Sequence, residues 1–176
     1  MGRLGAAILV WLGLAGSASA GEMFIGAYDH DATVGLGHGG HETGAQLTAG
    51  YRTDPIDTLA WAGRPSGYAF AATNTAGGTN YVGGGLSWRL ERPGARFYVQ
   101  PGLGLMIHDG HVDRRQRGTG LNLGSRLLLE PELALGWRFT ERLALEGSLI
   151  HLSHARIAGA RNPGLNELGL RLVYRF

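Results

Sequence analysis

His151 and Ser153 are the residues of this chain whose types and spacing best suit covalent chemistry. A serine hydroxyl is a weak nucleophile until a base takes its proton, and histidine is the usual base because it titrates near working pH. The two sit in the segment from Leu143 to His154. Read as a strand, that segment sends alternate residues to opposite faces. Leu143, Leu145, Gly147 and Leu149 share one face, and His151 and Ser153 continue it, whereas Ala144, Glu146 and Ser148 fall on the other. Reactive polar groups at the end of a greasy face suit a greasy substrate. Acyl transfer by such a pair needs a third group to hold the imidazole in the right tautomer. The next segment offers Asn166, which has the parity of Leu168 through Phe176, and then Glu167, which points to the opposite face unless a bulge at the strand start turns it.

Strands must position these groups, and eight alternating segments separated by turn residues are legible. They run from Glu22 to Tyr28, Gly44 to Thr53, Ser66 to Asn74 (with Asp57 to Ala62 read as running into it), Asn80 to Glu91, Arg96 to His108, Asn122 to Phe139, Leu143 to His154 and Asn166 to Phe176. One face of these segments is apolar; the other carries glycines together with Glu130, Glu132, Arg138, Glu146, Arg171 and Arg175. A soluble sandwich buries its apolar face and wets its polar one. Leucines facing lipid around a narrow, charge-paired interior instead predict an all-β fold, an eight-stranded antiparallel transmembrane β-barrel of the outer-membrane type. Trp88, Trp137, Tyr174 and Phe176 at strand ends suit interfacial girdles. The short Thr140-Glu141 turn suits the periplasmic side, and the long, charged Asp109 to Gly120 connection suits the outside. His151, Ser153 and Asn166 are then expected at one height, near the outer leaflet.

Residues 1–20 read as a removable leader, with Arg3, a short apolar run from Ala6 to Leu14 and a small-residue ending at Ala20. Residues 21–176 then form one domain. The chain has no cysteine, so disulfides and thiol chemistry are excluded. No stretch after the leader holds eighteen consecutive apolar residues, so no helical span is expected. A net charge of +2 is too small to suggest nucleic acid. All the basic side chains other than histidine are arginines, which can meet anionic lipid headgroups.

At these residues the chain resembles the outer-membrane lipid A 3-O-deacylases, the PagL-type or acyloxyacyl hydrolase-like barrels. The resemblance rests on Phe97-Tyr98-Val99-Gln100-Pro101-Gly102-Leu103-Gly104, Leu123-Gly124-Ser125, His151-Leu152-Ser153-His154-Ala155, Asn162-Pro163-Gly164 and the terminal Tyr174-Arg175-Phe176. The first half of the chain is similar only as a barrel. The resemblance implies an esterase that removes the ester-linked 3-O acyl chain of lipid A without a cofactor, in a Gram-negative outer membrane. Lipopolysaccharide and membrane lipids would be its partners. It makes His151 the base and Ser153 the nucleophile. Aligned on Asn162-Pro163-Gly164, the family's acidic position falls on Asn166, with Glu167 one further on. The family's oxyanion position, commonly asparagine, falls on His154.

Other readings stand beside this one. A small structural or adhesion barrel with a decayed site would carry the same strands, and so would a phospholipase or acyltransferase barrel. His30, His38 and His41, with Asp29, Asp31 and Glu42, could be metal ligands, although loop histidines without tight spacing are more often solvated. The run Asp113-Arg114-Arg115-Gln116-Arg117 could grip lipid phosphates or be a solvated outer loop. A homodimer in the membrane is compatible with such a barrel.

Overall fold

The eight alternating segments become eight antiparallel strands, and each has a partner on both sides. The computed structural model describes residues 21–34, 41–112, 121–154 and 164–176. The expected leader, His38, the Asp113–Arg117 run and Asn162-Pro163 lie outside those residues. The strands are β1 (Gly21–His30), β2 (Ala45–Thr53), β3 (Ser66–Asn74), β4 (Tyr81–Ser87 and Leu90–Glu91), β5 (Phe97–His108), β6 (Leu127–Arg138), β7 (Leu143–Leu152) and β8 (Leu165–Arg175). Consecutive strands pair, and β8 returns to β1, with Glu22 opposite Arg175 and His30 opposite Glu167. Closure satisfies the backbone groups that lipid cannot.

The break in β4 has a local cause. The register against β5 is the same on both sides of it, from Ser87↔Gly102 to Leu90↔Val99. Between them the Trp88 amide donates to the Pro101 carbonyl at 2.9 Å, and Pro101 has no N–H to return. One barrel strand with a missing rung results.

Two expectations need correction. Asp57–Ala62 does not run into β3 as a strand; it is a 3₁₀ helix. Pro55 precedes it, and Gly63, at φ 82°, ends it by turning its amide back to the Ala60 carbonyl at 3.1 Å. None of its residues is buried, so no packed face holds it extended. The sixth strand begins at Leu127 rather than Asn122, because residues 121–126 turn over the barrel mouth and place Leu121 and Leu123 inside.

Alternation sorts the side chains as expected for a barrel in lipid. Leu103, Leu105, Leu133, Leu135, Leu168, Leu170 and Leu172 face outward and are exposed. Phe97, Trp137, Phe139, Tyr174 and Phe176 gather outside near the 139–142 turn, as an interfacial girdle requires. Trp88 is half-buried and donates its indole N–H to the Ala62 carbonyl at 2.8 Å.

The lumen near the short turns is ionic. Arg52 meets Glu22 at 2.8 Å and Glu146 at 3.2 Å, Arg89 meets Glu22 at 2.6 Å, and Arg171 pairs with Glu146 and Glu132. Arg138 lies nearer the rim with Glu91, and Arg175 meets Asp54 at 2.8 Å on the exposed surface. Toward the other end Leu123, Leu128, Ile150, Leu152 and Leu165 make a buried apolar plug. That end carries the connections 31–44, 75–80, 109–126 and 153–164, and the sequence-predicted site lies there.

Candidate active site

The last rungs of the β7–β8 ladder set the site. Ile150↔Glu167, His151↔Asn166 and Leu152↔Leu165 pair in unbroken succession. With no bulge, His151 and Asn166 share the outward face and Glu167 points into the lumen. On the other side of β7, Ser153 is bridged to Leu129 of β6. The Leu129 amide donates to the Ser153 carbonyl at 2.8 Å, and the Ser153 amide to the Leu129 carbonyl at 3.1 Å. The pairing therefore extends through Ser153 and keeps it on the face of His151. Both residues are half-buried, above Leu149 and Leu168 on the lipid face.

The His151 ring is held on two sides. Its Nδ1 lies 2.7 Å from Asn166 Oδ1. Asn166 is only 1% exposed although its parity is outward, because the segment leaving β1 lies over it. The Ala32 amide donates to the Asn166 backbone carbonyl at 2.9 Å, and Asn166 Nδ2 donates to the Ala32 carbonyl at 3.3 Å. With the amide nitrogen committed to Ala32, the amide oxygen must face the ring, so Nδ1 carries the hydrogen. Nε2 is left with its lone pair, the form a base needs. The other support is Gly164, at φ 79°, where an added Cβ would stand 2.7 Å from His151 Cε1.

Glu167 belongs to a second cluster on the inner side of the same wall. Its Oε1 lies 2.7 Å from His30 Nδ1, and His30 Nε2 lies 2.7 Å from Glu42 Oε2. Glu42 also accepts the Thr79 amide at 2.7 Å, the Thr79 hydroxyl at 3.0 Å and the Leu121 amide at 3.3 Å. Burial alone would raise the Glu42 pKa, but the His30 and Thr79 hydrogen bonds outweigh it and hold the carboxyl down at about 2. Of the other histidines raised as metal ligands, His41 lies 3.4 Å from Asp31 Oδ2, and both His30 nitrogens already face carboxylates.

His154 has the opposite parity to Ser153 and is buried, and neither ring nitrogen has a hydrogen-bond partner among the described residues. The structure thus brings His151, Ser153 and Asn166 to one outward patch and sends Glu167 inward, with His154 following the inward parity. The Ala32 carbonyl and Gly164 are parts of the site that sequence reasoning missed. Gly164 enters the sequence reading only as part of the Asn162-Pro163-Gly164 motif, with no role against His151; nothing in the sequence marks Ala32.

Comparison with known proteins bears on the whole barrel. The family model of lipid A 3-O-deacylase (PagL) matches residues 32–175. The crystal structure of the outer membrane enzyme PagL superposes with a TM-score of 0.66 at 17% identity, covering 88% of this chain and 99% of that one. Neisserial surface protein A matches with a TM-score of 0.59 at 11% identity, over 90% of this chain and 98% of that one. The N-terminal β-barrel domain of Pseudomonas aeruginosa OprF matches with a TM-score of 0.56 at 13% identity, over 89% and 99%. At these identities the structural matches establish the fold alone. No curated protein matches the sequence. The protein is an outer-membrane barrel of a Gram-negative bacterium, and the family match over most of its length, with a closed barrel around it, places the chain in the lipid A 3-O-deacylase (PagL) family.

Proposed function

We propose that this barrel hydrolyses the ester-linked 3-O acyl chain of lipid A by serine nucleophilic catalysis, with His151 as base, Ser153 as nucleophile and Asn166 as orienter. The observation that carries the reading is the 2.7 Å contact from His151 Nδ1 to Asn166 Oδ1, on the lipid-facing wall beside Ser153. Family membership supplies the substrate class.

In this mechanism Nε2 of His151 takes the Ser153 proton as Oγ attacks the ester carbonyl carbon, giving a tetrahedral oxyanion. Collapse breaks the bond to the sugar oxygen, which leaves with the proton from His151 as a free hydroxyl. Water, deprotonated by the same nitrogen, then attacks the acyl-serine and releases the fatty acid, and Ser153 regains its proton. Substrate reaches an outward-facing site sideways within its own leaflet, with acyl chains lying along Leu149 and Leu168. Asn166 fixes the tautomer but brings no negative charge to the imidazolium, so turnover is expected to be slower than with a carboxylate at that position.

The test is mass spectrometry of lipid A and free fatty acid after mixing the refolded barrel with lipopolysaccharide vesicles. Wild type should release one ester-linked chain, and Ser153→Ala, folded, should release none. Equal spectra from the two would end the serine mechanism. Release of fatty acid from phospholipid but not from lipid A would reassign the substrate.

A further inference from the structure

The His30–Glu167–Glu42 cluster lies inside the barrel, out of reach of a lipid substrate, yet it backs directly onto the proposed site. Glu167 follows Asn166 in β8, and His30 precedes Asp31 and Ala32. His30 and Glu167 form the last rung of the β1–β8 ladder, and their side chains meet inside it at 2.7 Å. Immediately beyond that rung the chain turns at Asp31, whose φ of 55° lies in the left-handed region, uncommon for a side-chain-bearing residue though more accessible to aspartate than to most, and local hydrogen bonds constrain it there. The constraint is visible: Asp31 Oδ2 accepts the His41 amide at 2.6 Å and the Glu42 amide at 3.0 Å. The Glu42 side chain then returns to His30 Nε2 at 2.7 Å. His30, Asp31 and Glu42 thus close a ring of contacts around the turn, and Ala32 leaves it lying over Asn166.

We infer that His30 and Glu167 are positioning residues for the proposed hydrolase: their lumenal pair holds the Ala32 carbonyl over Asn166 and so dictates which atom of the Asn166 amide meets His151. This rests on the assignment of His151 and Ser153 as base and nucleophile. An asparagine amide offers an oxygen on one side and a nitrogen on the other, and only the oxygen can accept the Nδ1 hydrogen. The Ala32 carbonyl decides between them by taking the nitrogen at 3.3 Å. If Ala32 lifts away, the amide can rotate, the NH₂ can face the ring, and the lone pair needed on Nε2 moves to Nδ1. The cluster has a carboxylate on each ring nitrogen of His30, so both nitrogens donate, and the two bonds tie β1 to β8 and to residue 42. The lumenal staple therefore acts on the outer face through the backbone of two adjacent strands, without touching substrate.

Five variants, two of them controls, test this in detergent-refolded barrel, with kcat and KM on lipopolysaccharide and the ¹⁵N spectrum of histidine-labelled protein as readouts. His151→Gln identifies the His151 ring signals. Wild type should show one His151 tautomer, protonated at Nδ1. Glu167→Ala should fold, lose on the order of tenfold to a hundredfold in kcat at little-changed KM, and show mixed His151 tautomers. Glu167→Gln keeps an oxygen for the His30 Nδ1 hydrogen and should fall between the two. A folded Glu167→Ala barrel with wild-type kcat and a single His151 tautomer overturns the inference. Should that variant not fold, Glu42→Ala opens the same ring from a loop. Lowered kcat with mixed tautomers in Glu42→Ala then supports the staple, and wild-type kcat with a single tautomer overturns it. Ser153→Ala run alongside separates the failures: activity surviving in it removes the catalytic assignment, whereas an inactive Ser153→Ala beside an unaffected Glu167→Ala removes only the staple.

Discussion

His151 and Asn166 stand directly opposite each other across β7 and β8, and the imidazole Nδ1 lies 2.7 Å from the amide oxygen. The amide nitrogen is not idle; it donates to the Ala32 carbonyl at 3.3 Å. An asparagine, unlike a carboxylate, can satisfy both neighbours at once. The departure from an acidic residue at this position is therefore matched by its surroundings.

Replacing Asn166 separates these two contacts. Asn166→Ala leaves the ring without an orienter, and kcat on lipopolysaccharide should fall by on the order of a hundredfold while KM changes little. Asn166→Asp keeps an acceptor for Nδ1 but sets a carboxylate oxygen against the Ala32 carbonyl. It should destabilise the barrel by about 1–3 kcal/mol in urea unfolding.

Gly164 is the second support of the ring. Gly164→Ala would put a methyl 2.7 Å from His151 Cε1 at a backbone φ of 79°, a conformation that costs an L-residue about 1–2 kcal/mol. Activity should fall well below wild type in a barrel that still migrates as folded on an unboiled gel. Unchanged kcat would show that the ring has room to move aside.

The lumen should respond to charge far more than the outer face responds to size. Glu146 accepts Arg52, Arg171 and the Tyr98 hydroxyl. Glu146→Leu leaves two arginines without that partner, and a loss of about 3–5 kcal/mol is expected in urea unfolding. Leu170→Ala, on the exposed outer face, should cost much less, because lipid replaces the lost contacts.

Low pH should open the mouth of the barrel. The Glu42 carboxyl is held at about 2, below its ordinary value of 4.5. A depressed carboxylate stabilises the fold fully above the unfolded pKa, and that stabilisation is lost as pH falls through the folded one. The stabilisation from the contacts of Glu42 to His30, Thr79 and Leu121 should thus be full at neutral pH and decline from about pH 4.5 to about 2, with the contacts themselves breaking near the folded value of about 2. The Thr79 amide resonance should titrate with a midpoint near 2; a midpoint near 4.5 would contradict the clamp.

The barrel was legible because period-two alternation carries the same information in sequence as in space. Leu143 to Leu149 on one face and Glu146 opposite became lipid-facing and lumenal as the parity requires. The same parity set Asn166 on the face of His151 but left Asn166 and Glu167 both open as its partner, and it is the unbroken register of the folded strands that carries Glu167 inward to His30. Turn regions were not, since Asp57–Ala62 has apolar residues at strand-like spacing but lies between a proline and a left-handed glycine that favour a 3₁₀ turn. Ala32 illustrates a different limit. Its contribution is a backbone carbonyl, and what brings it over Asn166 is barrel closure followed by a turn at Asp31, neither of which leaves a mark on the alanine itself.

Everything proposed for the outer face requires Ser153 to be a nucleophile made reactive by His151, and covalent capture reads that property without an intermediary. The refolded barrel is treated with a lipid-like serine-directed phosphonate and read by intact mass and peptide mapping. One adduct per chain is expected, on Ser153, absent from Ser153→Ala and strongly slowed in folded His151→Gln. A folded wild-type barrel that gains no adduct, or gains one elsewhere with Ser153 untouched, would rule the nucleophile out.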